Sequence, residues 1–328
     1  MEKYFSVQEF GKALKLQNIL YLFNNLENIF YVVLIFFSMY VLGSKILKFF
    51  SLKNIEDEIK VIFSISFGAG GILIFIFVIG IIGFLYKWVV LSIILVLDVL
   101  GIFEILIRRS YKSLNFNLSL HKLSNLEKLQ FVLCILMFFV ILVGCLLPEI
   151  FYDSLVYHLA KPNFWIQNHK LIPDKSYMMS FFYPGNSNLL FVIGLFFKDE
   201  TICKLINFSF NILTTLLLYF IGKKFFNQKV GFLASVLFFT TPYIGILSWR
   251  SAVEMILAFF EALTIFSFVM WVLEQDYKYL IISAINCGLA IGTKYTSLYC
   301  LTAIICCIIL KNISEKKSIK VFIKDIVM

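Results

Sequence analysis

Charged residues are scarce in this chain of 328 residues, where they make up 15% of the sequence. A soluble globular domain carries about 25%. Hydrophobic residues account for 61%, and they come in blocks of about twenty residues, the length that spans a hydrocarbon core of roughly 30 Å. A soluble fold is therefore excluded, and the sequence predicts an all-α, polytopic transmembrane helical protein.

Ligand-type spacings of cysteine and histidine are also missing. The chain has seven cysteines and three histidines, and no cysteine forms a CxxC or a Cys/His ligand pattern. The cysteines lie within or beside apolar blocks, where they act as small hydrophobic side chains. Neither zinc nor a disulfide framework is predicted. His158 and His169 are weak candidates for a metal site with a loop carboxylate, so the cofactor stays open, with a divalent metal as one candidate.

The net charge of +9 does not indicate nucleic-acid binding. No basic stripe is interleaved with aromatic residues outside the apolar blocks, and basic residues of membrane proteins collect in cytoplasmic loops.

A cleavable signal peptide is not predicted either, because the first apolar block begins near Phe30, too late and too long for one. Apolar positions at helical spacing over residues 4–26 predict a helix lying on the membrane surface.

One polar stretch, residues 148–188, is much longer than the others. It holds four of the five prolines and two of the three histidines, and chemistry is often carried by loops on rigid scaffolds. The apolar blocks around it are residues 29–50, 61–86, 88–107, 130–147, 203–222, 230–248, 252–273 and 279–310.

Basic clusters give the orientation. If they lie in the cytoplasm, the loop 148–188 faces the outer side of the membrane. A single crossing at 203–222 then requires residues 184–198 to form a membrane-associated or re-entrant helix. The clusters are Lys45, Lys48, Lys53 and Lys60; Arg108, Arg109, Lys112, Lys122 and Lys128; Lys223, Lys224 and Lys229; and Lys278, Lys311, Lys316, Lys317, Lys320 and Lys324.

The last apolar block, residues 279–310, has basic residues at both ends. As one helix it would be about 48 Å long, at about 1.5 Å per residue, which exceeds the bilayer core. A helical hairpin is therefore predicted, with its turn near Gly292-Thr293-Lys294 and Lys294 on the outer side.

Four charged residues are predicted to share the outer face: Asp153, Arg250, Glu254 and Lys294. Charges at membrane depth call for a functional hypothesis. Simpler roles stay open: Asp153 as the cap of a helix from Ser154, Arg250 and Glu254 as an ordinary helix pair, and Lys294 as a charge snorkelling to water. For Asp98, Glu104 and Glu261, hydrogen bonding between helices is the preferred interpretation.

Residues 152–173 contain an acidic residue, a stretch of helical character and a short turn at Ile172-Pro173. This order resembles the first outer loop of bacterial GT-C glycosyltransferases, relatives of protein O-mannosyltransferases and of the enzymes that add aminoarabinose to lipid A. Three further matches follow in order: the helix end Tyr-Phe-Ile-Gly-Lys-Lys-Phe-Phe at 219–226, Thr241-Pro242-Tyr243 followed by Arg250 and Glu254, and the hairpin Gly-Leu-Ala-Ile-Gly-Thr-Lys-Tyr at 288–295.

The resemblance implies an inverting glycosyltransferase that uses a polyprenyl-phosphate-linked sugar donor and a glycan, lipid or protein acceptor, without nucleic acid. It also implies juxtamembrane helices in the first large outer loop. Transferred to this chain, it assigns Asp153 as the catalytic base and Glu254 as a second acid, with Arg250 and Lys294 at the donor phosphate. A multi-pass protein of the bacterial cytoplasmic membrane is the expected location.

The chain departs from that pattern in places. It has Phe182-Tyr183-Pro184-Gly185-Asn186 where the family often has an acidic-Lys-Pro-Pro motif. Residues 1–128, with about three transmembrane helices, form an N-terminal region outside the resemblance, and residues 129–328 form a GT-C-like core. Since relatives continue for several more spans, a fragment or an inactive relative is one expectation. A lipid or solute transporter or flippase, and a non-catalytic membrane partner, are the alternatives.

Overall fold

The computed structural model describes residues 25–52, 55–108, 124–173 and 182–315. Within these ranges the chain is helical, and no strand occurs among them. A π-helical turn at Ser154–His158 and a 3-10 turn at Tyr295–Ser297 connect some of the α-helices. The α-helices are α1 (Glu27–Lys48), α2 (Asp57–Ile82), α3 (Lys87–Arg108), α4 (Asn125–Leu146), α5 (Ala160–Asn168), α6 (Asn186–Phe197), α7 (Glu200–Phe225), α8 (Gln228–Thr240), α9 (Pro242–Ser248), α10 (Glu254–Glu274), α11 (Tyr277–Ile291) and α12 (Leu298–Ser314).

Seven segments of the described chain are long and apolar enough to cross a membrane. They are α1, α2, α3, α4, α7, α10 and the segment Tyr295–Ser314 that contains α12. An eighth crossing results if α8 and α9, bent by 64° at Thr241-Pro242, form one broken span. The predicted polytopic all-α fold is confirmed.

Contacts sort the helix ends into two groups. At one end, which we call the loop end, Asn28 donates to Asp199 at 3.3 Å and the backbone of Leu171 donates to Gly80 at 2.9 Å. At the other, the basic end, Lys45 pairs with Glu104 at 3.4 Å. These pairings are those expected if successive spans alternate in direction. The predicted surface helix over residues 4–26 lies outside the described residues.

The short helix α6 matches the predicted membrane-associated segment 184–198. It has twelve residues, too few for a crossing of about twenty. Its side chains pack inside the protein, with Leu190, Phe191, Val192 and Ile193 fully buried. A helix too short to span is compatible with the membrane interior where protein rather than lipid surrounds it. Helix α7 alone leads from the loop end to the basic end.

The last block forms the predicted hairpin. Its arms are α11, with 15 residues, and α12, with 17 residues, and the turn lies at Gly292–Lys294. Polar contacts hold the shorter arm inside the bundle: Ser283 donates to the carbonyl of Thr264 at 2.8 Å, and Ser66 donates to Asn286 at 2.5 Å. The second contact also joins the predicted N-terminal region directly to the C-terminal core.

Acidic residues within the spans bond to neighbouring helices. Asp98 accepts from Ser38 at 2.7 Å, and Glu261 accepts from Ser297 at 2.6 Å. Glu104 pairs with Lys45 of α1. All three carboxylates therefore make the contacts between helices that the sequence favoured for them. Such contacts remove unsatisfied polar groups from an apolar environment.

Helices α1 and α2 touch backbone to backbone. A Cβ atom added at Gly43 would lie 1.7 Å from the carbonyl oxygen of Ser64, and one at Gly68 would lie 1.7 Å from that of Met39. Small residues that allow close helix approach stabilise membrane bundles through van der Waals packing.

Gly43→Ala therefore tests this contact. Overpacking costs about 1–3 kcal/mol, and backbone on the other side cannot yield as a flexible side chain does, so we expect a lower midpoint of thermal unfolding in detergent. Gly288→Ala is the matched control, because a Cβ there would meet nothing within 4 Å. Equal midpoints for the two variants would contradict the packing.

Candidate active site

A buried carboxylate joins two segments at the loop end. Glu149, which is 8% exposed, follows the end of α4. Its Oε1 accepts from the backbone of Ile150 at 3.0 Å and of Phe151 at 3.1 Å, and its Oε2 accepts from the backbone of Ser251 at 2.7 Å. The start of the loop is thereby fixed against the segment between α9 and α10. Glu149 was not predicted as a site residue, although the sequence has this acidic residue directly after Pro148.

A buried lysine lies beside this carboxylate. Lys204 of α7 is 1% exposed, and its ammonium donates to the carbonyls of Gly144, at 3.3 Å, and Leu147. It thus satisfies carbonyls that the end of α4 leaves open, and the charge of Glu149 acts on it. Lys204 was not predicted as a site residue, because it lies inside the apolar block 203–222. Hydrogen bonds from Glu149 and Lys204 to backbone groups therefore anchor the start of the loop on the membrane helices.

Asp153 lies exposed at the start of the π-helical turn, where it makes no capping hydrogen bond. The interpretation as a helix cap is therefore not supported. The hydroxyl of Tyr157 donates to its carboxylate instead. Burial, followed by the negative charge of Asp153 and then that of Glu254, raises the pKa of Tyr157 well above its usual value. The tyrosine therefore stays protonated and keeps donating.

Glu254 and Lys294 form an ion pair across two helix ends. The Lys294 ammonium lies 3.2 Å from Oε1 of Glu254, the first residue of α10. Oε2 of the same carboxylate accepts from the backbone of Val253 at 3.1 Å. Lys294 is therefore held by a carboxylate, in contrast to a charge that only snorkels to water.

Arg250 precedes α10 and makes no ion pair with Glu254 in the described structure. The ordinary helix pair is therefore not what forms. Its guanidinium carbon lies 3.4 Å from the centre of the Phe151 ring, a cation–π contact. Among the described residues its buried Nε–H has no hydrogen-bond partner, which leaves a donor for an anionic ligand.

The segment that replaces the family's late-loop motif holds the hairpin turn. The backbone of Asn186 donates to Gly292 at 2.9 Å, and its side chain donates to Leu289 at 3.0 Å. A Cβ at Gly292 would lie 2.3 Å from the Asn186 side chain. Asn186 therefore places the turn that carries Lys294, a role that sequence reasoning missed.

Lys161 ties α5 to the same segment. It is 4% exposed, donates to the carbonyl of Tyr183 at 2.7 Å, and lies 5.1 Å from the centre of the Trp165 ring. Burial lowers its pKa to about 8.

The two candidate metal-binding histidines lie in different surroundings. His158 is buried against Tyr157, with ring centres 4.2 Å apart, and burial lowers its pKa to about 3. His169 stacks on Tyr86 at 4.1 Å, with Nδ1 3.3 Å from the carbonyl of Leu85. Within the described ranges, no three His, Cys, Asp or Glu side chains gather to hold a metal. A metal requirement stays a prediction.

Electrostatic contacts connect the candidate residues. The charges of Asp153 and Glu254 both act on the pKa of Tyr157, and the charges of Asp153 and Lys294 both act on the pKa of His158. Three of the four predicted residues therefore lie near enough to act on this tyrosine–histidine pair. The Arg250 guanidinium packs on the ring of Phe151, two residues before Asp153. The cluster offers carboxylates and fixed cations on one surface, as acid–base chemistry on an anionic substrate requires.

Residues 189–328 match the model of the dolichyl-phosphate-mannose-protein mannosyltransferase family. No curated protein and no solved structure matches the chain. The family match confirms the predicted similarity to GT-C membrane glycosyltransferases. It includes Arg250, Glu254 and Lys294, whereas Asp153 and the rest of the loop lie before it.

The low pKa of Lys161 predicts a pH dependence of stability. Between about pH 8 and its unfolded pKa near 10.5, the unfolded chain holds this proton and the folded protein does not. Stability therefore rises with pH across that window. We expect the thermal midpoint to rise from pH 8 to pH 9.5 less steeply in Lys161→Met than in the parent. Parallel curves would contradict a buried, readily deprotonated Lys161.

Proposed function

We propose that this chain, similar to GT-C membrane glycosyltransferases over residues 189–328, transfers a sugar from a polyprenyl-phosphate-linked donor to an acceptor at the loop end. The observation that carries the proposal is the ion pair of Glu254 with Lys294, together with the electrostatic interactions that link both residues and Asp153 to Tyr157 and His158 and the contact of Arg250 with Phe151.

The two cations are the proposed phosphate ligands. Lys294 gives one of its three N–H groups to Glu254, so others remain for a phosphate. Arg250 has an unpartnered Nε–H among the described residues. Fixed positive charge stabilises a phosphate as it departs, because negative charge grows on its oxygen in the transition state. Glu254 keeps Lys294 in place.

Asp153 is the proposed base. The acceptor hydroxyl gives its proton to the Asp153 carboxylate as the oxygen bonds to the anomeric carbon. The bond from that carbon to the phosphate oxygen breaks, and its electron pair leaves with the polyprenyl phosphate. A single displacement inverts the anomeric centre. Tyr157 orients the carboxylate through its hydrogen bond.

An apolar groove supports a lipid-linked donor. A cavity of about 490 Å³ lies between α4, α7 and α8, lined by aromatic and aliphatic side chains such as Phe131, Phe138, Ile212 and Phe239. Its upper edge on α4, at Phe139, is seven residues below the end of that helix, about 10 Å at ~1.5 Å per residue. A long isoprenoid tail can reach that depth from the loop end.

The proposed side of the membrane follows from the lysines. The basic end carries Lys45, Lys60, Lys223 and Lys224, and basic residues favour the cytoplasm. The loop end then faces outward, and an outer acceptor that is a glycan, lipid or protein of the cell envelope is consistent with it. A bacterial cytoplasmic membrane is the proposed location.

A transporter would place charged groups on broken helices near the midplane. The bent pair α8 and α9 is the feature closest to that pattern. Residues 230–248, which contain the bend, have no charged side chain, and Asp98 and Glu261 bond to neighbouring helices. The glycosyltransferase is therefore the better-supported proposal.

Asp153→Asn tests the base. A positioned general base contributes about 10²–10⁴-fold to the rate. Transfer from a polyprenyl-phosphate sugar should therefore fall by at least 100-fold in this variant, while the protein still binds polyprenyl phosphate. Asp276→Asn makes the same change at the other end of the bundle and keeps the cap of α11, since Asn caps as Asp does. Unchanged transfer in Asp153→Asn would overturn the assignment.

Arg250→Met and Lys294→Met test the phosphate ligands. A hydrogen bond to a charged group contributes about 1.5–3 kcal/mol, so each variant should bind polyprenyl phosphate at least tenfold more weakly. Lys170→Met, an exposed lysine at the same end, is the control. Because Lys294→Met leaves Glu254 unpaired, Glu254→Gln/Lys294→Met should also bind weakly; restored binding would assign the loss to the orphaned carboxylate instead.

A further inference from the structure

A second cavity lies at the basic end, away from the charge cluster. Its volume is about 770 Å³, and it opens between α1 and α2. Residues 37–52 line one wall and residues 57–64 the other. Both helices lie in the N-terminal region, which the family match does not include.

The lining changes in character along the cavity. Lys48, Asp57 and Lys60 stand at the basic end, and Phe37 and Tyr40 lie deeper. From Phe37 to Lys48 is eleven residues, or about 16 Å of helix at ~1.5 Å per residue. That is about half of a hydrocarbon core of roughly 30 Å. The cavity therefore has the depth of one leaflet, with its charges at the membrane surface.

Among the described lining residues, the donors available to a ligand are the ammonium groups of Lys48 and Lys60 at the mouth and the hydroxyl of Tyr40 deeper in the cavity. The hydroxyls of Ser44, Ser51 and Ser64 each donate to a carbonyl of their own segment, so their hydrogens are engaged. Lys60 lies 2.9 Å from Asp57 and keeps further N–H groups, while Lys48 is exposed. The charged lining residues that the structure describes are two lysines and one aspartate, with a net charge of +1.

We propose that this cavity binds an anionic glycerophospholipid of the leaflet at the basic end. Its phosphate lies between the ammonium groups of Lys48 and Lys60, and an acyl chain runs past Leu47 toward Phe37. The net charge of +1 on the described lining residues balances one phosphodiester, and basic pockets between transmembrane helices are suited to such head groups. The site is independent of the proposed sugar transfer.

The experiment uses the full chain, delipidated in neutral detergent and titrated with phosphatidylglycerol or phosphatidylcholine, with bound lipid counted by native mass spectrometry. We expect phosphatidylglycerol to bind more tightly. A lysine near an anionic surface contributes about 1 kcal/mol, so Lys48→Gln/Lys60→Gln should weaken its binding by about 25-fold. Lys223→Gln/Lys224→Gln, the same change on α7, should leave it unchanged.

Two further variants keep the proposal falsifiable. If the double variant unfolds, Lys48→Gln alone, at an exposed position, should weaken binding about fivefold, the effect of about 1 kcal/mol. Ser44→Phe fills the cavity and retains both lysines, so it should also reduce phosphatidylglycerol binding. Equal binding of the two lipids, or undiminished binding in both the lysine variants and Ser44→Phe, would overturn the site.

Discussion

The arrangement at the loop end depends on the buried carboxylate of Glu149. Its two oxygens accept hydrogen bonds from two separate segments. Oε1 accepts from the backbone N–H groups of Ile150 and Phe151 on the loop, and Oε2 accepts from that of Ser251 before α10. A buried N–H without a partner is costly, and so is a buried carboxylate, so each stabilises the other only while the two segments stay together. Asp153 lies on the loop that follows Glu149, and Arg250 and Glu254 lie on either side of Ser251 in the other segment.

The same principle organises the neighbouring elements. Lys204 donates to carbonyls at the end of α4, and the Asn186 side chain donates to the carbonyl of Leu289 just before the hairpin turn. In each case a side chain on a short or buried helix completes the hydrogen bonding of a chain end. Lys294 is placed by the second of these contacts and by its ion pair with Glu254. The candidate site is therefore built on polar groups that the membrane environment forces into pairs.

Much of the fold was predictable because apolar block length and basic clusters are local signals. The hairpin at Gly292–Lys294, the short helix at 186–197 and the interhelical bonds of Asp98 and Glu261 all followed from the sequence. The roles of three other residues, Glu149, Lys204 and Asn186, could not be predicted. Their hydrogen-bond partners lie far away in the sequence, and no local pattern indicates such contacts. For the same reason the simple alternatives for Asp153, Arg250 and Lys294 could be decided only once their neighbours were placed.

The two halves of the proposed chemistry rest on different grounds. Arg250, Glu254 and Lys294 lie within the matched family region. Electrostatic interactions with Tyr157 and His158 link Asp153 to Glu254 and Lys294. The central claim is that Asp153, Glu254 and Lys294 share one face of the membrane. Single cysteines at positions 153, 254 and 294, in a chain without its native cysteines, can be labelled in intact cells with a membrane-impermeant maleimide. We expect all three to react from outside; a cysteine that reacts only after the cytoplasm is opened would show that the residues do not share one face.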